Sequence, residues 1–371
     1  MQGSIVFRDE SGAEGGTAHP TQDLISELEH HMEVKEVPVR HTRSSNPLYW
    51  YRLGQRASDG SDVVHVQFEY GTFGSLGGLF LGIMYPFFAL GVSVPMVATF
   101  FNLKDRKLDF SSTDPMSVLE TIVLLLKSPI DWSIIANTDY FIPFIREHER
   151  LLEEKGAPTK NVERFPFVAE PNPAFEDPDQ SKKEYGVDGK RVITAFGWVR
   201  ESKGYHHVID ALPHLPEDTV FLVAGGTRIE EQEQYLEELR EQTRELGVED
   251  RVVFTGYAPR SEHATIMSAT DVMVFPYQDN RPSAALALAL SYKLPIVASD
   301  SEVFRTFEEE WGCVSTFSAP NELVELLNHV FRNEDELERL RQNATEYVEE
   351  VNPRSFASRL NEIYRNLAEQ S

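Results

Sequence analysis

Several positively charged and glycine residues in the second half of the chain have the spacing of a phosphate-binding site. Each lies at or shortly after the end of an apolar segment typical of a buried strand, and they are Gly197, Arg200, Lys203, Gly225 and Gly226. In parallel sheets, ligands bind at the carboxyl ends of the strands, where backbone N–H groups and a cation stabilise negative oxygen atoms. The pattern therefore predicts a site for a phosphorylated ligand.

A polar segment and a helix start would add to this site. Asn280, Arg281 and Ser283 precede an alanine- and leucine-rich segment, from about Ala284 to Tyr292, that is typical of a helix. Ser283 is a favourable N-cap residue, and the first backbone N–H groups of the helix would point towards a phosphate. A purely structural cap is the alternative, and the sequence leaves both open.

The elements that must position these residues alternate between strand and helix. In the second half, strands are expected at 191–196, 220–224, 251–255, 271–275 and 294–299. In the first half, strands are expected near 4–8, 32–39, 62–69, 94–100, 132–136 and 161–168, and helices from Pro20 and over 116–127 and 140–155. Repetition of strand, loop and helix predicts parallel α/β sheets.

The second half resembles the carboxyl-terminal half of the family 4 glycosyltransferases, which are of the group 1 type. Five matching words occur in the family's order between residues 191 and 300: FGWVRESKGYHHVIDAL, FLVAGG, DRVVFTGYAP, ATDVMVFPY and ALSYKLPIVASD. The resemblance implies the GT-B fold, in which two Rossmann-like, doubly wound parallel-sheet domains face a cleft. It also implies sugar transfer from a UDP- or GDP-linked donor to a hydroxyl of a saccharide or lipid-linked saccharide, with retention and without metal or other cofactor.

The resemblance also implies roles for individual residues. Lys203 matches the family's Lys-Gly word and would stabilise the leaving diphosphate, together with Arg200 or Arg281. The family's two glutamates, eight positions apart, fall here on Asn280 and Leu288, so both carboxylates are absent. This departure motivates an alternative function, a non-catalytic GT-B protein that binds or regulates another transferase.

Two features of the first half match the acceptor side of the family. Gly15-Gly16 resembles the glycine pair that precedes the first helix. Glu69 follows a clear strand in the word DVVHVQFEYGTFG and is a candidate to accept a hydrogen bond from, or act as a base on, an acceptor hydroxyl. A plain surface carboxylate is the alternative interpretation of Glu69.

A proline-rich acidic stretch marks the expected domain boundary. We expect an acceptor-side domain at 1–170, a linker at 171–189 and a donor domain at 190–352, with a helix at 353–371 crossing back to the first domain.

Residues 71–102 lack charge and are interpreted as a helix on a sheet followed by a strand. Peripheral membrane contact through 75–101 is the second interpretation.

The composition and charge of the chain restrict the classes of binding partner and the cellular location that we expect. The chain of 371 residues has 60 acidic and 35 basic residues and a net charge of −25, which argues against nucleic acid or anionic lipid as partner. We interpret this acidity as typical of a halophile, with an ordinary acidic bacterial enzyme as the alternative. Cys313 is the only cysteine and the first residues lack a signal-peptide pattern, so a cytoplasmic location is expected, with association at the cytoplasmic membrane face as a variant.

Overall fold

The computed structural model forms two units, each built around its own parallel sheet. Unit 1 comprises Met1–Phe167 and Pro353–Ser371, and unit 2 comprises Val168–Asn352. The structure describes residues 1–9, 18–42, 44–74, 82–101, 103, 130–170, 173–278 and 284–370. The predicted α/β class with two Rossmann-like, doubly wound units is confirmed.

The sheet of unit 1 has five parallel strands in the order β2-β1-β3-β4-β5. They are β1 (Gln2–Arg8), β2 (Glu33–Val39), β3 (Val63–Phe68), β4 (Met96–Phe100) and β5 (Tyr140–Pro143). Every residue of β3 is buried, because this strand lies at the centre of the sheet with helices on both faces. The strand order reverses direction between β1 and β3, and this reversal defines the topological switch point of the sheet.

The helices of unit 1 cover the sheet with their apolar faces. They are α1 (Ala18–Glu29), α2 (Pro47–Ser58), α3 (Tyr85–Gly91), α4 (130–137) and α5 (Arg146–Glu154). Asn46 caps α2 by accepting the Leu48 N–H at 3.1 Å, and Pro47 occupies its first turn, where proline is favourable. The backbones of α2 and α3 touch, since an added Cβ on Gly54 would lie 2.2 Å from the Phe88 carbonyl oxygen.

Three expectations for unit 1 were wrong. Residues 132–136 are helical and not a strand, because Ile130 and Ile134 are four positions apart and both face the core. The expected helix over 140–155 begins with β5 and becomes helical only at Arg146. The expected strand at 161–168 is reduced to one isolated bridge between Phe141 and Val162. The expected helix over 116–127 lies outside the described residues.

The sheet of unit 2 has six parallel strands in the order β11-β10-β9-β6-β7-β8. They are β6 (Arg191–Phe196), β7 (Thr219–Ala224), β8 (Val252–Phe254), β9 (Val272–Phe275), β10 (Ile296–Ser299) and β11 (Val314–Phe317). The switch point of this sheet lies between β6 and β9. The helices are α6 (Pro178–Glu184), α7 (Tyr205–Ala211), α8 (Glu230–Glu245), α9 (His263–Ala269), α10 (Ala284–Ser291), α11 (Glu302–Trp311), α12 (Pro320–Arg332) and α13 (Glu334–Glu350).

The stretch expected as a linker, 171–189, contains helix α6. Asp177 caps this helix by accepting the Gln180 N–H at 2.8 Å, and Ser181 is fully buried. Helix α6 packs against α9, so this part of the stretch is integral to unit 2.

The last helix, α14 (Pro353–Gln370), packs on unit 1. Arg359 donates from Nε and Nη2 to the two carboxylate oxygens of Glu163, each at 2.8 Å. The Tyr364 hydroxyl lies 2.5 Å from Nδ1 of His65 on β3. These contacts connect the end of the chain to the centre of the first sheet.

The described residues of the uncharged stretch are 71–74 and 82–101, and the second of these ranges contains a short helix and a strand. Helix α3 packs its Tyr85 and Phe88 side chains into the core and leaves Phe87 and Leu90 exposed. Strand β4 follows and is buried along its whole length. Within the described ranges, no helix combines the length and the apolar character needed to cross a membrane.

Candidate functional site

The loops after β6 and β7 are pressed together at the switch point of unit 2. Gly197 has a φ of +110° and donates its N–H to the Ala224 carbonyl at 3.0 Å. The backbone N–H of Val199 donates to the Gly226 carbonyl at 2.9 Å. A Cβ added to Gly225 would lie 1.8 Å from the Gly197 carbonyl oxygen, so only glycine fits there. The predicted glycines therefore form one close-packed edge.

Lys203 is a buried cation beside this edge. It ends a 3₁₀ turn after β6, is only 9% exposed, and its Nζ lies 3.2 Å from the centroid of the Tyr277 ring. Tyr277 follows β9, so the lysine bridges the two strand ends that define the switch point. The attraction between an ammonium and an aromatic face stabilises this placement. The Lys203 side chain is therefore buried and is not a solvated surface lysine.

The loop that carries Lys203 is fixed against the loop after β9. Gly204 adopts the left-handed conformation at φ +65°, and a Cβ there would lie 2.0 Å from the Pro276 carbonyl oxygen. The Gln278 N–H donates to the Ser202 carbonyl at 3.0 Å. The cation is thus held by backbone geometry on both sides, as a preorganised anion site requires.

Arg200 lies next to Lys203 and is half-buried. Its guanidinium is close enough to the buried Tyr205 hydroxyl to affect it: burial raises the pKa of Tyr205, and the Arg200 charge opposes this rise. A second positive charge therefore lies near Tyr205, the first residue of α7.

A group that sequence reasoning did not single out lies at the ends of β6, β7 and β8. The rings of Trp198 and Tyr257 stack with centroids 5.5 Å apart and planes 28° apart, and Arg228 Cζ lies 3.9 Å from the centroid of the Trp198 ring. Tyr257 is 42% exposed, so a face of this group is open to a ligand. The sequence did contain a pattern that could have revealed this group: an aromatic or arginine residue lies shortly after each of three neighbouring strands.

A cavity of about 430 Å³ opens on the other side of Tyr277, at the ends of β9, β10 and β11. Its lining is mainly polar and includes His207, Gln278, Ser299 and Asp300. Ser299 fixes the wall by donating from Oγ to the Tyr277 carbonyl at 2.6 Å. Lys203 thus lies against Tyr277, which lines this cavity.

Several predicted site residues lie outside the described residues: Gly15, Gly16, Asn280, Arg281 and Ser283. Ala284 is described as the first residue of α10 and is exposed. Leu288 lies in the same helix and is half-buried.

Glu69 lies at the corresponding edge of unit 1. It directly follows β3, is half-buried, and its carbonyl accepts the Thr72 N–H at 3.0 Å at the start of a 3₁₀ turn. Its side chain lines a small recess whose other walls are Phe7, Arg8, Thr21, Gln67, Thr72 and Phe101. Sequence reasoning did not assign Gln67 and Thr72, although they lie in the same word as Glu69. It did not assign Arg8 because only the pairing of β1 with β3 brings that residue to this edge.

A buried histidine supports this edge from below. His65 Nε2 lies 2.7 Å from Thr99 Oγ1, and its Nδ1 is bonded to the Tyr364 hydroxyl. Complete burial lowers the pKa of His65 to about 3, so the ring is neutral at ordinary pH.

Two Rossmann-like units, each built on a parallel sheet with a switch point, are the parts of a GT-B fold. Structural comparison agrees: the crystal structure of HepE from Anabaena in complex with UDP has a TM-score of 0.72 at 18% sequence identity and covers 98% of this chain and 100% of that one. At this identity the likeness shows the fold.

The family follows from the sequence match. Residues 177–347 match the family model of glycosyl transferases group 1, and this confirms the resemblance found in the sequence. Unit 2 carries a group 1 glycosyltransferase domain.

Two curated relatives have transferase or synthase names. Mannosylfructose-phosphate synthase of Agrobacterium fabrum is 32% identical over 133 residues, which is 33% of this chain and 29% of that protein. Alpha-monoglucosyldiacylglycerol synthase of Streptococcus pneumoniae is 20% identical over 310 residues, which is 82% of this chain and 66% of that protein. The chain thus spans less than two thirds of the length of either relative.

Proposed function

We propose that this protein transfers a hexose from a UDP- or GDP-linked donor to a hydroxyl acceptor, with retention and without a metal ion. The observation that carries the proposal is Lys203, a buried cation fixed at the switch point of the group 1 domain. When the glycosidic bond breaks, negative charge develops on the leaving diphosphate. A preorganised cation stabilises that charge more in the transition state than in the ground state.

The donor would lie along the carboxyl edge of unit 2. Its diphosphate would contact Lys203 and Arg200 and the backbone at Gly197, Gly225 and Gly226. Asn280, Arg281, Ser283 and the start of α10 at Ala284 would complete this contact from the following loop.

The nucleobase would stack on the aromatic group of Trp198 and Tyr257. A flat base gains stacking energy on an aromatic face whatever its identity, and Arg228 adds a cation beside it. The HepE structures contain UDP and UDP-glucose, so uridine donors are the first to test.

The acceptor hydroxyl would bind in unit 1 near Glu69, with Gly15 and Gly16 in the preceding loop. A carboxylate can accept the hydroxyl proton as the new bond forms, or it can hold the acceptor by a hydrogen bond. The relatives' names include both a sugar-phosphate product and a diacylglycerol glycoside, so saccharide and lipid-linked acceptors are both candidates.

The decisive experiment is calorimetric titration of the purified protein with UDP, GDP and their hexose conjugates in molar KCl. We expect one nucleotide to bind with micromolar affinity or better, and the matching nucleotide sugar to lose its hexose to a saccharide panel. If a well-folded sample binds none of them, the donor site proposed here is wrong.

The second candidate is a non-catalytic binding or regulatory partner of another transferase. Leu288 on α10 favours it, because an apolar side chain replaces the glutamate that family members use at this position. Nucleotide binding without transfer to any member of the acceptor panel would support this candidate.

We further propose a cytoplasmic location in a salt-rich cell, with Phe87 and Leu90 of α3 as the exposed apolar residues for peripheral membrane contact. The acidic side chains that give the net charge of −25 repel one another at low salt, and high salt screens this repulsion. An unfolding midpoint that does not rise with KCl would contradict the halophilic part of this proposal.

A further inference from the structure

A small recess in unit 1 has the lining of a hydroxyl-binding site. It lies at the switch point between β1 and β3, where parallel sheets bind their ligands. Its walls come from the ends of three adjacent strands, from α1 and from the turn after β3, and they are Phe7, Arg8, Thr21, Gln67, Glu69, Thr72 and Phe101.

Thr72 is the unusual member of this lining. The residue is 1% exposed, and among the described residues its Oγ1 has no hydrogen-bond partner. Buried hydroxyl groups in folded proteins nearly always have a partner, because an unpaired one loses its hydrogen bonds to water without replacement. Since Thr72 lines the recess, a group that enters the recess is the candidate partner for this hydroxyl.

The size of the recess restricts that partner to a single oxygen-sized group. Its volume is about 10 Å³. A cavity needs roughly 10–15 Å³ to hold one water molecule, so a whole sugar ring does not fit but one of its hydroxyl groups does.

The chemistry of the walls selects a hydroxyl. Thr72 Oγ1 can donate or accept, the Glu69 carboxylate accepts, and Gln67 and Arg8 carry donors. A hydroxyl group also donates and accepts, so it could pair with Thr72 and donate to the Glu69 carboxylate as well. The Arg8 guanidinium lies over the turn, with Nη1 3.9 Å from the position of a Cβ on Gly71.

The floor of the recess is rigid. Gln67 Nε2 lies 3.5 Å from His65 Nε2, and His65 is held in turn by Thr99 and Tyr364. A site whose side chains are fixed by a second layer of hydrogen bonds loses little entropy when it binds a ligand.

We propose that this recess binds one hydroxyl group of a saccharide acceptor, with Thr72 as the residue that distinguishes a sugar bearing that hydroxyl from one lacking it. The inference rests on the transferase function proposed above and names its acceptor class. A lipid alcohol is disfavoured, because its acyl chains would lie against Arg8 and Glu69 and remove water from these charges. Phe101, at the end of β4, offers an apolar face of the kind that packs against a sugar ring.

The test measures binding of methyl α-D-glucopyranoside, methyl α-D-mannopyranoside and methyl α-D-galactopyranoside, and of their monodeoxy analogues, by saturation-transfer NMR. The variants are Thr72→Val, which keeps the shape and removes the hydroxyl, and Thr72→Ser, which restores it. Thr159→Val, at an exposed threonine of the same unit, is the matched control. UDP titration of each sample shows whether the donor site is intact.

We expect at least one glycoside to bind the wild type, to lose about tenfold in affinity in Thr72→Val, and to recover in Thr72→Ser. The analogue that lacks the recognised hydroxyl should bind the wild type weakly. Thr72→Val should bind this analogue no more weakly than it binds the parent glycoside. If UDP binds but no glycoside does, or if Thr72→Val binds like the wild type, the inference is wrong while the transferase proposal stands. Failure of both UDP and GDP in the titration proposed above overturns the transferase proposal, and the glycoside titration still decides whether the recess binds a sugar hydroxyl.

Discussion

The carboxyl edges of the two sheets have the same position in their folds but differ in the side chains that they carry. At the switch point of unit 2 the described side chains include Arg200, Lys203 and the rings around Trp198. At the switch point of unit 1 they include Glu69 and the Thr72 hydroxyl. The parallel sheet supplies the location in both cases, and we propose that the side chains there select an anion in unit 2 and a neutral hydroxyl in unit 1.

The two edges also obtain their rigidity in different ways. In unit 2, backbones touch directly at Gly204 and Gly225, where a side chain would clash. In unit 1, a buried polar chain through His65 and Tyr364 fixes the strand ends. The backbone contacts in unit 2 depend on the absence of a Cβ, and the hydrogen bonds in unit 1 depend on the protonation state of the His65 ring. Each can therefore be broken separately.

The largest expected effect comes from Gly225→Ala. The added Cβ would lie 1.8 Å from the Gly197 carbonyl oxygen, so the loops after β6 and β7 must separate. We expect a loss of about 3 kcal/mol in the free energy of unfolding of unit 2, and loss of nucleotide binding. Denaturant titration measures the first effect.

Gly189→Ala is the control for this prediction, since its Cβ would meet nothing within 4 Å although its φ is +68°. It should cost only about 1 kcal/mol for the left-handed conformation. Equal losses in the two variants would show that the contact with Gly197 is unimportant.

Removal of the aromatic group should weaken nucleosides and spare phosphates. Trp198→Ala and Tyr257→Ala should each cost about 1–3 kcal/mol in the affinity for UDP and UMP, because each removes a stacking surface. The affinity for inorganic pyrophosphate should not change. Trp132→Ala, at a tryptophan that is 72% exposed in unit 1, is the control. Weakening of pyrophosphate as well would place the group at the phosphates.

Acid should loosen the edge of unit 1 through His65. The pKa of His65 is about 3 in the folded protein and its usual value is 6.5, so the unfolded state binds the proton first as pH falls. Its contribution to stability is complete above about pH 6.5 and is lost progressively towards pH 3, with a slope of up to about 1.4 kcal/mol per pH unit.

The variant His65→Gln should lack this part of the slope when unfolding is measured between pH 7 and pH 5. His148, whose pKa burial lowers to about 4, gives a similar slope and remains in both proteins as an internal control. Identical pH dependence in the variant and the wild type would show that His65 does not titrate on unfolding.

The sequence predicted the fold better than it predicted the neighbours of each site residue. Five of the six strands of unit 2 were predicted, and four of these are short apolar runs followed by glycine or proline. The sixth, β11 (Val314–Phe317), was not predicted. Lys203 was found because it follows one of the predicted strands. The strand predicted at 132–136 was wrong because a five-residue apolar run does not distinguish a strand from one face of a helix.

Contacts between residues that are far apart in the chain could not be predicted from the sequence alone. Trp198 and Arg228 meet only because β6 and β7 pair in register, and Arg8 approaches the turn that holds Thr72 only because β1 and β3 are neighbours. The roles of Gly15, Gly16, Asn280, Arg281 and Ser283 stay predictions, because these residues lie outside the described part of the chain.

The measurement that tests the central claim most directly is UDP and uridine titration of Lys203→Met beside the wild type. Methionine keeps most of the buried volume against Tyr277 and removes the charge. Lys183→Met, at an exposed lysine of α6, is the matched control. We predict that Lys203→Met loses about tenfold or more in UDP affinity, which is about 1.4 kcal/mol, while uridine binding is unchanged. A folded Lys203→Met protein that binds UDP as tightly as the wild type would contradict the assignment of Lys203 to the diphosphate.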